Sequence, residues 1–198
     1  MATIGLDKPY YSIITEGSGG VETYAAPVSM GKAISAEITL EFSEGDLYGD
    51  DGLAEAVREF KKGKLTFEQT DLAASVRHAL LGAKIDNNGA VVSSAEDEAP
   101  YVAIGFRARR SDGKYKYFWL YKVRFSVPGT SLQTKGDNIN FSTPKLEGEI
   151  MRRNKTSDGS HPWKVDVTEG DTGVESSTLS GWFSNVYEPD FTTSSSTT

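Results

Sequence analysis

Between Tyr101 and Val127, apolar and polar residues alternate along two runs separated by Asp112-Gly113. A period of two marks a strand with a buried face, because successive side chains point to opposite sides. Asp-Gly is a strong signal for a two-residue primed turn. Such a turn pairs Ser111 with Lys114, and then Arg110 with Tyr115, Ala108 with Tyr117, Phe106 with Trp119, Ile104 with Tyr121 and Val102 with Val123. All these residues fall on one face, so the register set by the turn agrees with the apolar register. The opposite face carries Arg107, Arg109, Lys116, Lys122 and Arg124, with Phe118 and Leu120 among them. A strand that is apolar on both faces at its middle calls for cover on both sides. A second copy of the chain is one candidate for part of that cover.

The same pattern predicts further strands over Tyr10–Ile14, over Ala36–Phe42 with Ile38, Leu40 and Phe42 on one face, and over Lys64–Gln69 with Leu65 and Phe67 inward. Asn138–Met151 reads as a strand whose alternation shifts at Pro144, and Trp163–Val167 and Leu179–Val186 read as the last two strands. One helix is predicted over about 70–81: Leu72, Val76, Ala79 and Leu80 form an apolar stripe, Thr70-Asp71 opens it and Gly82 ends it. Ser43–Gly63 is ambiguous. Leu53, Ala56, Val57 and Phe60 follow helical spacing, with Asp51 as a cap and Gly63 as a stop, so periodicity alone favours a short helix. The tally of roughly nine strands and one helix predicts a mainly β protein, an antiparallel two-sheet β-sandwich or barrel with one flanking α-helix. After Phe191 the chain is Thr and Ser only, the composition of a disordered tail or a linker.

At 198 residues the chain suits one domain. Cysteine is absent, which excludes disulfides and thiol catalysis. No apolar stretch reads as a signal peptide or a bilayer span, so the expectation is a soluble protein made in a cytoplasm. The formal net charge of -7 is unevenly spread. Glu41–Glu59 holds seven acids and one base, and Arg107–Arg124 holds seven bases and one acid. Each run alone reads as a solvated face. Together they raise a second reading, in which the acidic run of one copy meets the basic run of another and guides register.

Catalytic and metal chemistry find no foothold. His78 and His161 stand in no ligand spacing, and both read as structural or solvated. Asp46, Asp50, Asp51 and Gly52 resemble a fragment of a calcium loop but lack its remaining ligands. No nucleophile elbow or phosphate loop occurs. The expectation is no enzyme, no cofactor and no metal. The basic, aromatic hairpin resembles a base-stacking platform, but Tyr115, Tyr117, Trp119 and Tyr121 share the apolar register, which is the pattern of a core.

Several blocks in order carry a family resemblance: Met1–Lys8, Leu47–Gly52, Phe60–Phe67 with its central Gly63, Val102–Arg107, Lys116–Tyr121, Asn140–Pro144, Gly181–Phe183 and Tyr187–Pro189. Over Met1 to about Pro189 the chain resembles the major tail tube proteins of long, non-contractile-tailed bacteriophages. The resemblance implies a tail-tube domain over 1–189, with an N-terminal arm over 1–8, an extended loop or hairpin over 43–63 in place of a helix, and a disordered tail over 190–198. It implies a virion protein made in the host cytoplasm, assembled with itself as hexameric rings stacked into a tube. Further partners would be the tape measure, tail terminator and distal tail proteins, with DNA only in transit and no membrane. Candidate inter-subunit residues are Ile4, Leu6, Leu47, Tyr48, Asp50, Asp51, Phe118 and Leu120. Arg107, Arg109, Lys116, Lys122 and Arg124 are expected to pair with carboxylates of the same or an adjacent subunit. The alternatives are a carbohydrate-binding or adhesion β-sandwich and a single-strand nucleic-acid binder.

Overall fold

The structure, a computed structural model, describes residues 2–49, 52–129 and 143–191. Its strands are β1 (Thr3–Glu16), β2 (Glu22–Tyr24), β3 (Val28–Ser29), β4 (Ala33–Gly49), β5 (Gly52–Gln69), β6 (Lys84–Ile85), β7 (Val91–Val92), β8 (Tyr101–Arg110), β9 (Tyr115–Ser126), β10 (Lys145–Met151) and β11 (Lys164–Thr168). Two helices accompany them, α1 (Ala74–Leu81) and α2 (Ser176–Ser180). The protein is mainly β and antiparallel with a helix on its flank, as the pattern predicts. Nine strands form one sheet in the order β2-β1-β8-β9-β10-β5-β4, with β3 beside β1 and β11 beside β9. The sheet curls until the start of β1 approaches β4, giving a sandwich-like body around one main core.

That core lies on one face of the sheet. Leu65, Phe67, Val102, Ile104, Phe106, Leu120, Val123, Phe125, Leu146 and Ile150 meet Leu72, Val76, Leu80 and Leu81 on or beside α1. Each such side chain contributes about 1.5–3 kcal/mol when fully buried. The helix is shorter than predicted, beginning at Ala74 with no side-chain cap, and it ends at Gly82 in the left-handed conformation. At two turns it depends on this burial, since an isolated helix of that length is not stable in water.

The central hairpin departs from its predicted register. Its loop is Ser111-Asp112-Gly113, closed by Gly113 N–H to Arg110 O at 3.1 Å and Arg110 N–H to Lys114 O at 2.8 Å. Gly113, at φ 84°, takes the left-handed position of a type I turn with a following bulge. Both turn forms place glycine at positive φ, so Asp-Gly does not separate them. The longer loop slips the pairing by one residue, so that Arg109 faces Tyr115, Arg107 faces Tyr117, Gly105 faces Trp119, Phe106 faces Phe118 and Ile104 faces Leu120. A second irregularity then restores the predicted register, and Val102 does face Val123. Across that step β9 advances three residues against two on β8, a bulge at Tyr121-Lys122.

The bulge divides one alternating run between two cores. Val123 and Phe125 enter the main core, whereas Tyr117, Trp119 and Tyr121 lie on the opposite face. There they pack with Trp182, Val186, Phe183 and Tyr187. Leu179–Val186, predicted as a strand, is instead the end of α2 and a series of turns that lids this second core. Its aromatic residues serve as caps over a sheet face, which needs no ladder partner. Trp119 donates its Nε1–H to Trp182 O at 3.0 Å, and Tyr121 Oη donates to Tyr187 O at 2.9 Å.

Of the segment 43–63, residues 43–49 and 52–63 are extended, and 50–51 lie outside the described residues. β4 and β5 pair from Ala33–Gln69 down to Gly49–Gly52, and the helix suggested by periodicity is not formed. Pairing along a long antiparallel ladder outweighs a short helical stripe that would lack a surface to bury against. Of the predicted strand over 138–151, Lys145–Met151 is formed, and 138–142 lie outside the described residues.

Trp119 lies flat over Gly105, and a Cβ at that glycine would stand 2.7 Å from the Trp119 ring. The indole, fully buried, has nowhere to retreat. Gly105→Ala is therefore expected to destabilise the protein by about 1–3 kcal/mol, the usual cost of overpacking. Urea denaturation checks this, and an unchanged midpoint refutes it.

Candidate functional site

Four of the five hairpin cations meet carboxylates of their own chain. Arg107 holds Asp7 through Nε at 2.6 Å and Nη2 at 2.8 Å, and its guanidinium lies 3.9 Å from the Tyr115 ring centre. The bidentate bond from Asp7 leads the effects that raise the Arg107 pKa. Lys116 meets Asp166 at 2.8 Å, and Lys164 meets the other oxygen of the same carboxylate at 2.8 Å. Burial pushes the Asp166 pKa up, but the two ammonium groups outweigh it and hold the carboxyl below its ordinary range. Arg124 meets the exposed Glu98 at 2.9 Å. Arg109 has no ion pair among the described residues.

Lys122 is the buried member. The bulge turns it away from the main core, where its amine reaches Glu22 at 2.6 Å and Glu16 at 2.8 Å. Glu22, fully buried, also accepts the N–H groups of Asn154 and Lys155 at 2.8 and 3.2 Å. Next to it the fully buried Arg153 donates to Glu188 at 2.9 Å and to Ser157 Oγ at 2.5 Å, and lies 4.1 Å from the Tyr121 ring centre. This network ties the 152–161 loop and the C-terminal lid to the sheet. The sequence of 152–161 is locally only a polar loop, and nothing within it names these partners. The available signal was the second apolar face of β9, which had to be covered, and the aromatic supply at Trp182, Phe183 and Tyr187.

The candidate contact residues separate into four groups. Leu120 is completely buried within its own chain and is withdrawn as an inter-subunit residue. Phe118, half-buried, stacks on Phe106 at 5.1 Å. Their two-sided cover thus comes from this chain, because the slipped register sends them to the main core. The arm expected over 1–8 is not free either: Thr3–Asp7 pair with β8. Leu6 packs on the core, and Ile4 is 70 % exposed. Leu47 pairs with Glu55 and Tyr48 with Leu53 near the hairpin tip. Asp50 and Asp51 lie outside the described residues.

Outward of Phe42 and Phe60 the β4–β5 hairpin makes ladder bonds only with itself among the described residues. Its base is anchored by Phe60 stacked on Trp163 at 5.3 Å, with Phe42 edge-on to Phe60 at 6.2 Å and Arg58 4.3 Å from the Phe42 ring centre. From Ser43 to Gly49 the arm reaches on the order of 20 Å at about 3.3 Å per residue. The outward face of β4, β5 and β10 is polar, with Lys62–Glu149 and Lys64–Glu147 pairs at 3.4 and 3.0 Å. On the face under the C-terminal lid, a cavity of about 510 Å³ is lined by Lys8, Arg107, Tyr10, Tyr117, Glu169 and the serines of the α2 region.

His78 Nδ1 bonds Ala83 O at 2.6 Å and His161 Nδ1 bonds Arg153 O at 3.1 Å, both structural positions. Among the described residues no three metal-ligating side chains stand together, and no helix is long and apolar enough to cross a membrane. Tyr117, Trp119 and Tyr121 are buried and present no ring face for stacking bases.

No protein-family model matches the chain, and no curated protein matches it. Among solved structures, the chain is similar to one in the cryo-EM structure of the anti-feeding prophage (AFP) baseplate, 6-fold symmetrised. The two are 8% identical, the match covers 84% of this chain and 97% of that one, and the TM-score is 0.33.

Two predictions follow from the buried network. Lys122→Met leaves Glu22 buried without its counter-ion and should cost about 3–5 kcal/mol, the scale of breaking a buried pair from one side. Urea denaturation measures it, and a loss under about 1 kcal/mol would place Glu22 in contact with water. The second concerns alkali. Burial pushes the Tyr24 pKa up to about 12, with Arg153 opposing, and raises Tyr121 as well. A raised folded pKa means stability that is complete below about pH 10, the unfolded value, and lost as pH climbs through the folded one. Tyr24→Phe should move alkaline unfolding to higher pH, followed by tyrosinate absorbance beside circular dichroism. An unmoved transition refutes it.

Proposed function

We propose that this chain is the building block of a phage tail tube, a self-assembling structural protein whose hexameric rings stack around a conduit for DNA. The observation that carries this reading is the β4–β5 hairpin. Outward of Phe42 and Phe60 the two strands have no ladder partner but each other among the described residues, at an entropic cost that a contact with another copy would offset. A monomeric carbohydrate-binding sandwich has no use for such an arm. The ordered sequence blocks of the tail tube family, the curled sheet and the flanking helix support the same reading.

In such a ring we assign the uncovered face of β4, β5 and β10 to the lumen. It presents Glu37, Glu68, Glu147 and Glu149 against Lys62, Lys64 and Lys145, a net acidic surface. Acid repels phosphate, whereas each lysine or arginine that neutralises one adds binding that slows exit. The basic hairpin, with most of its charge already spent within the chain, would not line the lumen. The partners of this reading are further copies of the chain, the tape measure, tail terminator and distal tail proteins, and DNA in passage, all within the virion.

Sedimentation velocity at high protein concentration, with negative-stain microscopy, is expected to show six-fold rings or tubes. A monomer under every condition, including the presence of a tail-initiation complex, overturns the reading. Leu47→Ser combined with Tyr48→Ser should stop tube growth and leave the circular dichroism spectrum unchanged. Normal tubes from this variant would remove the hairpin tip from the contact.

A further inference from the structure

The cavity beneath the C-terminal lid sets two cations, Lys8 and Arg107, against one carboxylate, among hydroxyls able to donate. Lys8 sits in it with no ion pair among the described residues, at the irregularity between Asp7 and Tyr10 where β1 breaks its pairing with β8. Arg107 adds a guanidinium already oriented by Asp7. Ser176 and Ser184 contribute hydroxyls that make no hydrogen bond among the described residues. Its one carboxylate, Glu169, already accepts the Tyr115 N–H through Oε2 at 3.0 Å. At about 510 Å³ the cavity admits one or two side chains. Its chemistry fits a carboxylate.

The chain has such a group to offer. The 41–59 run holds seven acids against Arg58, and Arg58 is spent on Glu44 at 3.1 Å. Glu41 and Glu59 are exposed and make no ion pair among the described residues. Strand directions place the two features at one end of the sheet. β10 runs against both β9 and β5, so β5 runs with β9, and the hairpin tip lies toward the same end as the start of β9. The cavity is built around Tyr117 and Arg107, near that start.

We infer that the Lys8–Arg107 cavity receives carboxylates of the 41–59 hairpin of a second copy, beside it within one ring. This rests on the ring reading above and adds its receptor. Rotation about one axis keeps equivalent points of all copies at one height, so the arm of one subunit leans onto the cavity of the next. The contact runs head to tail, as a closed ring requires. Charge complementarity of this kind orients the approach and penalises wrong registers.

The test couples carboxylates directly to amines with a carbodiimide in assembled protein, mixing isotope-labelled and unlabelled full-length chains, and reads the cross-links by mass spectrometry. Mixed-isotope links between Lys8 and acids of 41–59 are expected. Lys8→Gln should raise the protein concentration needed for ring formation about tenfold, the scale of one interfacial charge pair. Lys8→Glu should block it, and adding Glu41→Lys and Glu59→Lys should restore it. Normal assembly with no Lys8 link to a neighbour, or with Lys8→Glu harmless, overturns the docking and leaves the ring reading standing. No assembly of the wild-type chain overturns both.

Discussion

The one-residue bulge at Tyr121-Lys122 is the constraint on which the rest of the structure depends. It lets a single strand feed two cores. Before it, alternate residues of β9 send Tyr117, Trp119 and Tyr121 to the face under the lid and Phe118 and Leu120 to the main core. After it, the parity is reversed and Val123 and Phe125 join the main core. The extra residue also swings Lys122 onto Glu22, which would otherwise be a carboxylate buried with only backbone donors. The cost of bringing that ammonium out of water is offset by two carboxylates. Through Glu22 and Arg153, the same point governs where the 152–161 loop and the C-terminal lid attach.

Charge follows the same economy. The basic hairpin binds its own chain: Arg107 seals the first strand through Asp7, Lys116 holds β11 through Asp166, and Lys122 holds β2. These pairs are partly desolvated, so they resist salt better than surface pairs do. The acidic hairpin is the opposite case. Its outer strands pair with each other, and its Glu41 and Glu59 make no ion pair among the described residues. A molecule that spends its cations inward and leaves its anions on a projecting arm is asymmetric in what it offers a neighbour.

How much of this was legible depended on the range of the interaction. Alternation found the sheet, the stripe at Leu72, Val76 and Leu80 found α1, and Gly82 found its end, because each signal is written within a few residues. The candidate contact surface was legible only as composition: an acidic run, a basic run and two apolar residues near the hairpin tip. The ion-pair partners of the basic run, from Asp7 to Asp166, lie far from it in sequence, and no local pattern names them. Leu120 was misplaced because a loop one residue longer than expected turns a strand over, and Asp112-Gly113 suits either loop.

The sequence by itself determined the class of the fold, the position of its central hairpin and the uneven charge, since periodicity, turn residues and composition act locally. Tertiary structure decided which face of β9 each aromatic residue takes, that 43–49 and 52–63 pair as a ladder against the helical spacing of Leu53, Ala56, Val57 and Phe60, and that Leu179–Val186 is a lid and not a strand. Those outcomes turn on register and on competition between distant surfaces. A shift of one residue reverses a strand's faces at little local cost, so only the packing of the whole chain selects among the possibilities.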